Sequence, residues 1–326
     1  MDNLQDRIEE AAVLIRDFVL RTPLLESDTL NNELGLRVLI KAECLQKTGS
    51  FKARGALNFV LHRRTARDAH FVGFSSGNHA QGLAYAARIV GAKATVLMPA
   101  SVPARKIAGT RALGADVEIL ADFFAIRDRR AGEFIAEGAI FVPPFDHEDI
   151  IAGQGTVGLE IAAQAARRKI RPDALFVPAS GGGLLSGSAS AVRHAFPRCR
   201  IVAVEPRGFD DFARSVAAGE RMANEAGAGT LCDGLMSPQP GKVPFEIVKT
   251  LSPDFDTVSD SQVANAVRIL FERFNLVAEP SGAAAFASML SQAKAMQGAT
   301  VVVVVSGGNV DQSLFTRLLG EPSSHI

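Results

Sequence analysis

Seven short runs of apolar, largely β-branched residues recur along the chain, at 36–41, 69–74, 94–98, 116–120, 174–177, 200–204 and 300–305. Several are continuous, with no polar alternation, which is the pattern of parallel strands covered on both faces. Longer Ala-, Leu- and Arg-rich stretches lie between them, at 82–90, 102–113, 155–168 and 260–274, and suit amphipathic helices. Strand followed by helix, repeated, predicts an α/β fold of parallel βαβ units with right-handed crossovers. Such sheets place ligands at the carboxyl ends of their strands, so function is expected in the strand-to-helix turns. No internal repeat, low-complexity tract or linker marks a domain boundary.

Composition narrows the function classes. The 326 residues are enough for about two domains of ordinary size, or one large α/β unit. Lys+Arg and Asp+Glu are balanced at 35 each, so there is no general electrostatic drive toward nucleic acid or anionic lipid. Local charge must carry any ligand binding. Cys44, Cys199 and Cys232 are far apart and form no C-x-x-C pair, which suits a reducing compartment. The polar, acidic start of the chain lacks the features of a secretory signal. The most apolar run, 299–305, is far shorter than the roughly 20 residues of a membrane-spanning helix, so a cytoplasmic location is expected.

Four turns are rich in Gly and Ser: Thr48-Gly49-Ser50-Phe51-Lys52, Ser75-Ser76-Gly77-Asn78-His79, Ser180-Gly181-Gly182-Gly183-Leu184 and Ser306-Gly307-Gly308-Asn309. The third follows an apolar strand and opens a helix. Consecutive glycines let backbone N–H groups converge there and the helix dipole adds to them, forming a cradle suited to phosphate. No Gly-Lys-Ser/Thr follows, and the dinucleotide spacing is absent, so neither nucleotide motif applies. By itself the segment reads equally well as a ligand-free tight turn. Lys52 opens a helix; a lysine in a partly apolar pocket can have a lowered pKa and react with carbonyls, although most lysines are simply solvated.

Taken together and in this order, Ser50-Phe51-Lys52-Ala53-Arg54-Gly55-Ala56, the 75–82 turn, the 180–187 turn and Ser306-Gly307-Gly308-Asn309 resemble the serine/threonine dehydratase family. That family belongs to the pyridoxal 5'-phosphate (PLP) enzymes of fold type II, the tryptophan-synthase-β fold, and includes serine racemase. The resemblance runs from Arg21-Thr22-Pro23-Leu24 to Ser306. It implies two open, twisted, mostly parallel sheets flanked by helices, with PLP in the cleft between a large domain (1–68 and 145–326) and a small one (69–144).

By the same resemblance, Lys52 is the lysine that carries the cofactor and serves as general base, and Phe51 packs beside the cofactor ring. Asn78 binds the phenolic oxygen, and Ser75, Ser76, Asn78 and His79 form the loop that receives the substrate carboxylate. Gly181, Gly182 and Gly183, with Leu184, form the phosphate cradle, where Ser180 replaces the first of the family's usual four glycines. Ser306 faces the pyridine nitrogen, and a neutral hydroxyl there suits elimination over chemistry needing a long-lived carbanion. Gly234 and Glu279 are expected near the ring. Arg127 is the nearest candidate for a substrate-carboxylate arginine, which has no clear counterpart. Glu205, the carbonyl of Phe209 and Asp211 resemble the family's Mg²⁺ or Ca²⁺ site, an oxygen-ligand set that could also be a solvated acidic loop. His62, His70, His147, His194 and His325 show no metal-ligand spacing and read as surface or packing residues.

The implied function is an L-threonine/L-serine dehydratase, an ammonia-lyase giving 2-oxobutanoate or pyruvate plus ammonia. Ser76 keeps a serine or aspartate racemase and a 3-hydroxyaspartate dehydratase open as alternatives, because a hydroxyl opposite Lys52 can move a proton on the other ring face. A PLP-binding protein without turnover is the remaining one. With twenty residues after Ser306, the regulatory domain of isoleucine-sensitive threonine dehydratases is not expected. A homodimer or homotetramer is expected, with no nucleic-acid or membrane partner.

Overall fold

The computed structural model describes residues 2–63, 69–75, 77–102, 104–225 and 229–320. Ten strands lie along it: β1 (Leu24–Glu26), β2 (Arg37–Ala42), β3 (His70–Phe74), β4 (Lys93–Pro99), β5 (Asp116–Leu120), β6 (Ile140–Phe141), β7 (Ala174–Pro178), β8 (Arg200–Pro206), β9 (Asp254–Val258) and β10 (Thr300–Val305). They form a six-stranded sheet in the order β1-β2-β10-β7-β8-β9 and a four-stranded sheet in the order β5-β4-β3-β6. Every pairing of these strands is parallel except β1 with β2. The two mostly parallel sheets expected from the sequence are present.

The unbroken valine run of β10 follows from its central position between β2 and β7. Val301, Val303 and Val305 pack with Phe176, Val202 and Val204 into a cluster that also takes in residues of the helices Asp260–Phe274 and Pro280–Gln292. Val302 and Val304 enter a second cluster with Leu175, Val177 and Ile201, shared with the helices Glu148–Arg167 and Gly183–Ala195. Both faces are thus apolar, and each fully buried valine stabilises the fold by about 1.5–3 kcal/mol. The small sheet is likewise double-faced: Phe71, Val96 and Met98 pack with the helices Lys52–Leu61 and Asn78–Val90, while Val72, Leu97 and Leu120 pack with Phe123–Ala136.

Local signals set several element ends. Ser259 caps Asp260–Phe274 through a reciprocal box with Gln262, and Asn275 closes it in the left-handed conformation. The helix expected at 155–168 begins earlier, at Glu148. His147 Nδ1 accepts from the Asp149 N–H at 3.0 Å and caps it. The glycines of this first half look like breakers but permit close packing: a Cβ at Gly158 would collide with the Ser188 backbone of the neighbouring helix. Strands β1, β6 and β9 lie outside the seven apolar runs and are additions to the expected set. Among the described residues no helix is long and apolar enough to cross a membrane.

Candidate active site

Strands β2, β10, β7 and β8 run parallel, so the segments that follow them emerge at one edge of the large sheet. Two of these segments are zipped together. The Phe51 N–H donates to the Ser306 carbonyl at 3.1 Å, Ser50 and Gly307 form an isolated antiparallel bridge, and the Gly308 N–H donates to the Gly49 carbonyl at 2.8 Å. Ser306, itself buried, is therefore held beside the start of the helix that begins with Lys52.

The Lys52 ammonium donates to the Pro144 carbonyl at 2.8 Å and lies 5.1 Å from the centre of the Phe51 ring. Burial pulls its pKa down to about 8, because the charged form loses hydration. An amine with that pKa loses its proton far more readily than a solvated lysine, which is what a nucleophile and base near neutrality needs. Two residues on, Arg54 is fully buried and anchors this helix. Its guanidinium donates to both Glu43 oxygens at 2.8 Å and to Glu160 at 2.8 and 3.0 Å. Lys41 completes the cluster, donating to Glu160 at 2.6 Å.

Asn78 opens the helix Asn78–Val90 and spans the two sheets' bodies. Its Nδ2 donates to Glu279 Oε1, while its Oδ1 accepts from Asn309 Nδ2 at 2.7 Å. Asn309 Nδ2 also donates to the Thr48 carbonyl at 2.8 Å, so the second and fourth glycine turns meet through one amide pair. Burial, then Asp233, push the Glu279 carboxyl up to about 7, against the pull of Asn78 and Lys106. The Gly234 N–H donates at 2.8 Å to Ser281 Oγ, two residues from Glu279.

The phosphate cradle expected at 180–184 follows β7. Gly182 adopts φ +92, which disfavours any side chain, and a Cβ there would meet the Phe212 ring. At Gly181 a Cβ would meet the Phe145 ring, and at Gly183 the Gln154 amide oxygen. That oxygen is buried without a hydrogen-bond partner. Leu184 sends its side chain into the core, leaving only its backbone N–H for a ligand at the helix start. Ser180 does not turn toward the cradle alone: its hydroxyl donates to Ser237 Oγ at 2.8 Å. These features fit PLP, with a reactive buried amine and a side-chain-free, N–H-lined turn for its phosphate.

The carboxylate-receiving loop is only partly described. Ser76 lies outside the described residues. Ser75 Oγ accepts from the Gly77 N–H at 3.1 Å. His79 is buried and bonds through Nε2 to the Val142 carbonyl at 2.9 Å, and burial drops its pKa to about 3. Its neutral ring points into the small body, so its contribution to an anion is the backbone N–H of the helix's first turn. Arg127 stacks 4.6 Å over the ring of Phe74, the residue before Ser75.

At the end of β8, Glu205 is buried and accepts from the Phe212 and Ala213 N–H groups at 2.9 and 3.0 Å. Burial raises its pKa to about 8 and that of Asp211 to about 6. Asp211 Oδ1 accepts from Asn224 Nδ2 at 2.6 Å, and its Oδ2 is buried without a partner. Buried Phe209 lies between them in sequence. Two buried carboxylates with one unsatisfied oxygen fit a hard cation. Among the described residues, no group of three or more His, Cys, Asp and Glu side chains is placed to hold a metal. Phe145, Gln154 and Lys106 carry no signal in the sequence that marks them for this site, whereas Asn309 lies within the fourth glycine-rich turn.

Comparison with known proteins agrees with this geometry. The family described as pyridoxal-phosphate dependent enzyme matches residues 15–307. The chain is 39% identical over 313 residues to an L-threo-3-hydroxyaspartate ammonia-lyase from a Pseudomonas species, covering 95% of this chain and 96% of that one. It is 36% identical over 318 residues to a serine racemase from Schizosaccharomyces pombe, covering 97% of each. Among solved structures, the T.th. threonine deaminase superposes with a TM-score of 0.89 at 42% identity, covering 94% of this chain and 98% of that one.

Proposed function

The chain belongs to the pyridoxal-phosphate dependent enzyme family, and on that premise we propose that it is an ammonia-lyase of the threonine/serine dehydratase type. The observation that carries the reading is Lys52, a buried amine with a lowered pKa, tied through Phe51 to the Ser306 turn. PLP, when bound, supplies the electron sink that makes the substrate's Cα proton acidic. This chain's residues do the rest. Lys52 holds the cofactor and takes the Cα proton as general base. Asn78, fixed by Glu279 and Asn309, orients the ring, and the 180–184 turn neutralises the phosphate. The turn at 75–79 binds the substrate carboxylate, and the neutral Ser306 hydroxyl leaves the pyridine nitrogen unprotonated, which favours prompt loss of the β-hydroxyl. Net, L-threonine gives 2-oxobutanoate and ammonia, and L-serine gives pyruvate and ammonia.

The proposed division into bodies is 1–68 with 145–326 and 69–144, with the site between them. Glu205, the Phe209 carbonyl and Asp211 are the proposed Mg²⁺ or Ca²⁺ ligands, supported by the unpartnered Asp211 oxygen. The reading also expects a homodimer or homotetramer, which sedimentation would read.

Proton NMR in D₂O with L-serine and L-threonine tests the reaction. Keto acid with little deuterium at Cα of the remaining substrate is the expected result. Deuterium at Cα without keto acid would show a racemase instead.

A further inference from the structure

Lys106 lies on the helix Ala104–Ala112, which packs against the small sheet. Its ammonium is 3.7 Å from where a Cβ on Gly77 would stand, so it sits over the turn read above as the substrate-carboxylate loop. The same ammonium donates to Asp233 Oδ2 at 2.7 Å. Asp233 begins the short 3₁₀ turn Asp233–Leu235 on the large-sheet side, where Cys232 and Leu235 enter that sheet's core. Ser281 Oγ donates to its other oxygen at 3.4 Å and accepts the Gly234 N–H. The ion pair therefore spans the two bodies at the mouth of the site. Lys106 sits over Gly77, the residue before Asn78, and Asp233 is held by Ser281, two residues from Glu279, so the pair lies beside the Asn78–Glu279 contact.

The two partners are unequally wet. The Lys106 side chain is 16% exposed and that of Asp233 54%. The cation is the enclosed member, for which an unpaired state is costly, whereas the carboxylate is readily returned to water. Pairs this exposed contribute little net stability, so replacing Asp233 by another carboxylate in the same place is nearly isoenergetic. An amino acid with only an α-carboxylate has nothing to offer Lys106, since the 75–79 turn takes that group. A substrate with a second carboxylate on Cβ does.

We propose that Lys106 is a specificity-determining residue: it receives the side-chain carboxylate of a β-hydroxy dicarboxylic amino acid, displacing Asp233 to solvent. The proposal rests on the ammonia-lyase reading and assigns the residue that would select, among the substrates the sequence keeps open, the dicarboxylic one. With 3-hydroxyaspartate the Cα–H and Cβ–OH bonds break, water is lost and regained, and oxaloacetate and ammonia leave; no oxidant or reductant is needed.

The test compares the PLP-loaded parent enzyme with K106Q and D233N, taking the ratio of kcat/KM for L-threo-3-hydroxyaspartate to that for L-threonine. Loss of one charge-assisted hydrogen bond predicts that K106Q lowers the ratio about tenfold or more. D233N removes the competitor and raises it. A ratio in K106Q that falls by less than about fivefold, or one that fails to rise in D233N, overturns the proposal. So does a parent enzyme that neither binds nor turns over 3-hydroxyaspartate. If the parent turns over no amino acid, the ammonia-lyase reading fails, and the same ratio taken as dissociation constants from the absorbance of bound cofactor decides the role of Lys106 separately.

Discussion

Asn78 donates its side-chain amide to Glu279 at 2.5 Å across 201 residues of sequence, joining the first turn of a small-sheet helix to the head of a large-sheet one. Because Asn309 fixes the other end of the amide, its orientation is set before any ligand arrives. Asn78→Ala removes the donor and leaves a buried Glu279 oxygen unpaired. A loss of about 1–3 kcal/mol in urea denaturation is expected, with a shifted absorption band of bound cofactor. An unchanged band would mean that the amide does not touch the cofactor.

The raised pKa of Glu279 has a defined sign in stability. Its folded value, about 7, lies above the ordinary 4.5, so the folded state binds its proton more tightly than the unfolded chain. That contribution is complete below pH 4.5 and is lost as pH rises through 7. Glu205 and Asp211, raised to about 8 and about 6 by burial, act in the same direction. The Tm of the cofactor-free protein should therefore fall between roughly pH 5 and 8. Glu279→Gln should flatten part of that slope, as read by thermal scans across the range.

The carboxylate pair at the end of β8 makes a separate prediction for cations. Protonated carboxyls do not bind Mg²⁺ or Ca²⁺, so millimolar amounts of either should raise Tm at about pH 8 and do so much less at about pH 5.5. Asp211→Asn should abolish the effect. Equal shifts in the parent and the variant would place the ion elsewhere.

Arg54 is bracketed by Glu43 and Glu160 and has no exposure of its own. Burial and both carboxylates leave its charge compensated only while all three remain. Arg54→Ala should cost about 3–5 kcal/mol, because buried Glu43 loses the guanidinium it pairs with and Glu160 keeps only Lys41. Adding Glu43→Gln to it should recover part of the loss in denaturant titrations.

The parts of this structure that are legible in sequence are those with a local signal. The valine run of β10, the glycine turn after β7 and Lys52 at a helix start each carry their pattern within a few residues. β9, Asp254–Val258, opens Asp-Phe-Asp at a sheet edge and has no apolar run, and β6 is two residues inside a four-residue apolar run, 139–142, too short to stand out as a strand. The early start of Glu148–Arg167 is hidden because its glycines serve helix packing, which only the neighbouring helix reveals. The Asn78–Glu279–Asn309 network and the Lys106–Asp233 pair join residues far apart in sequence, and no spacing rule relates them. His79 stands out by its place in a motif, but that its ring is taken up by the Val142 carbonyl, leaving the backbone N–H for the loop, shows only in the fold.

The most direct test of the account is borohydride reduction of the PLP-loaded protein followed by peptide mapping. The account predicts a single pyridoxyl label, on Lys52, absent from Lys52→Ala. A label on another lysine, or none, would contradict it.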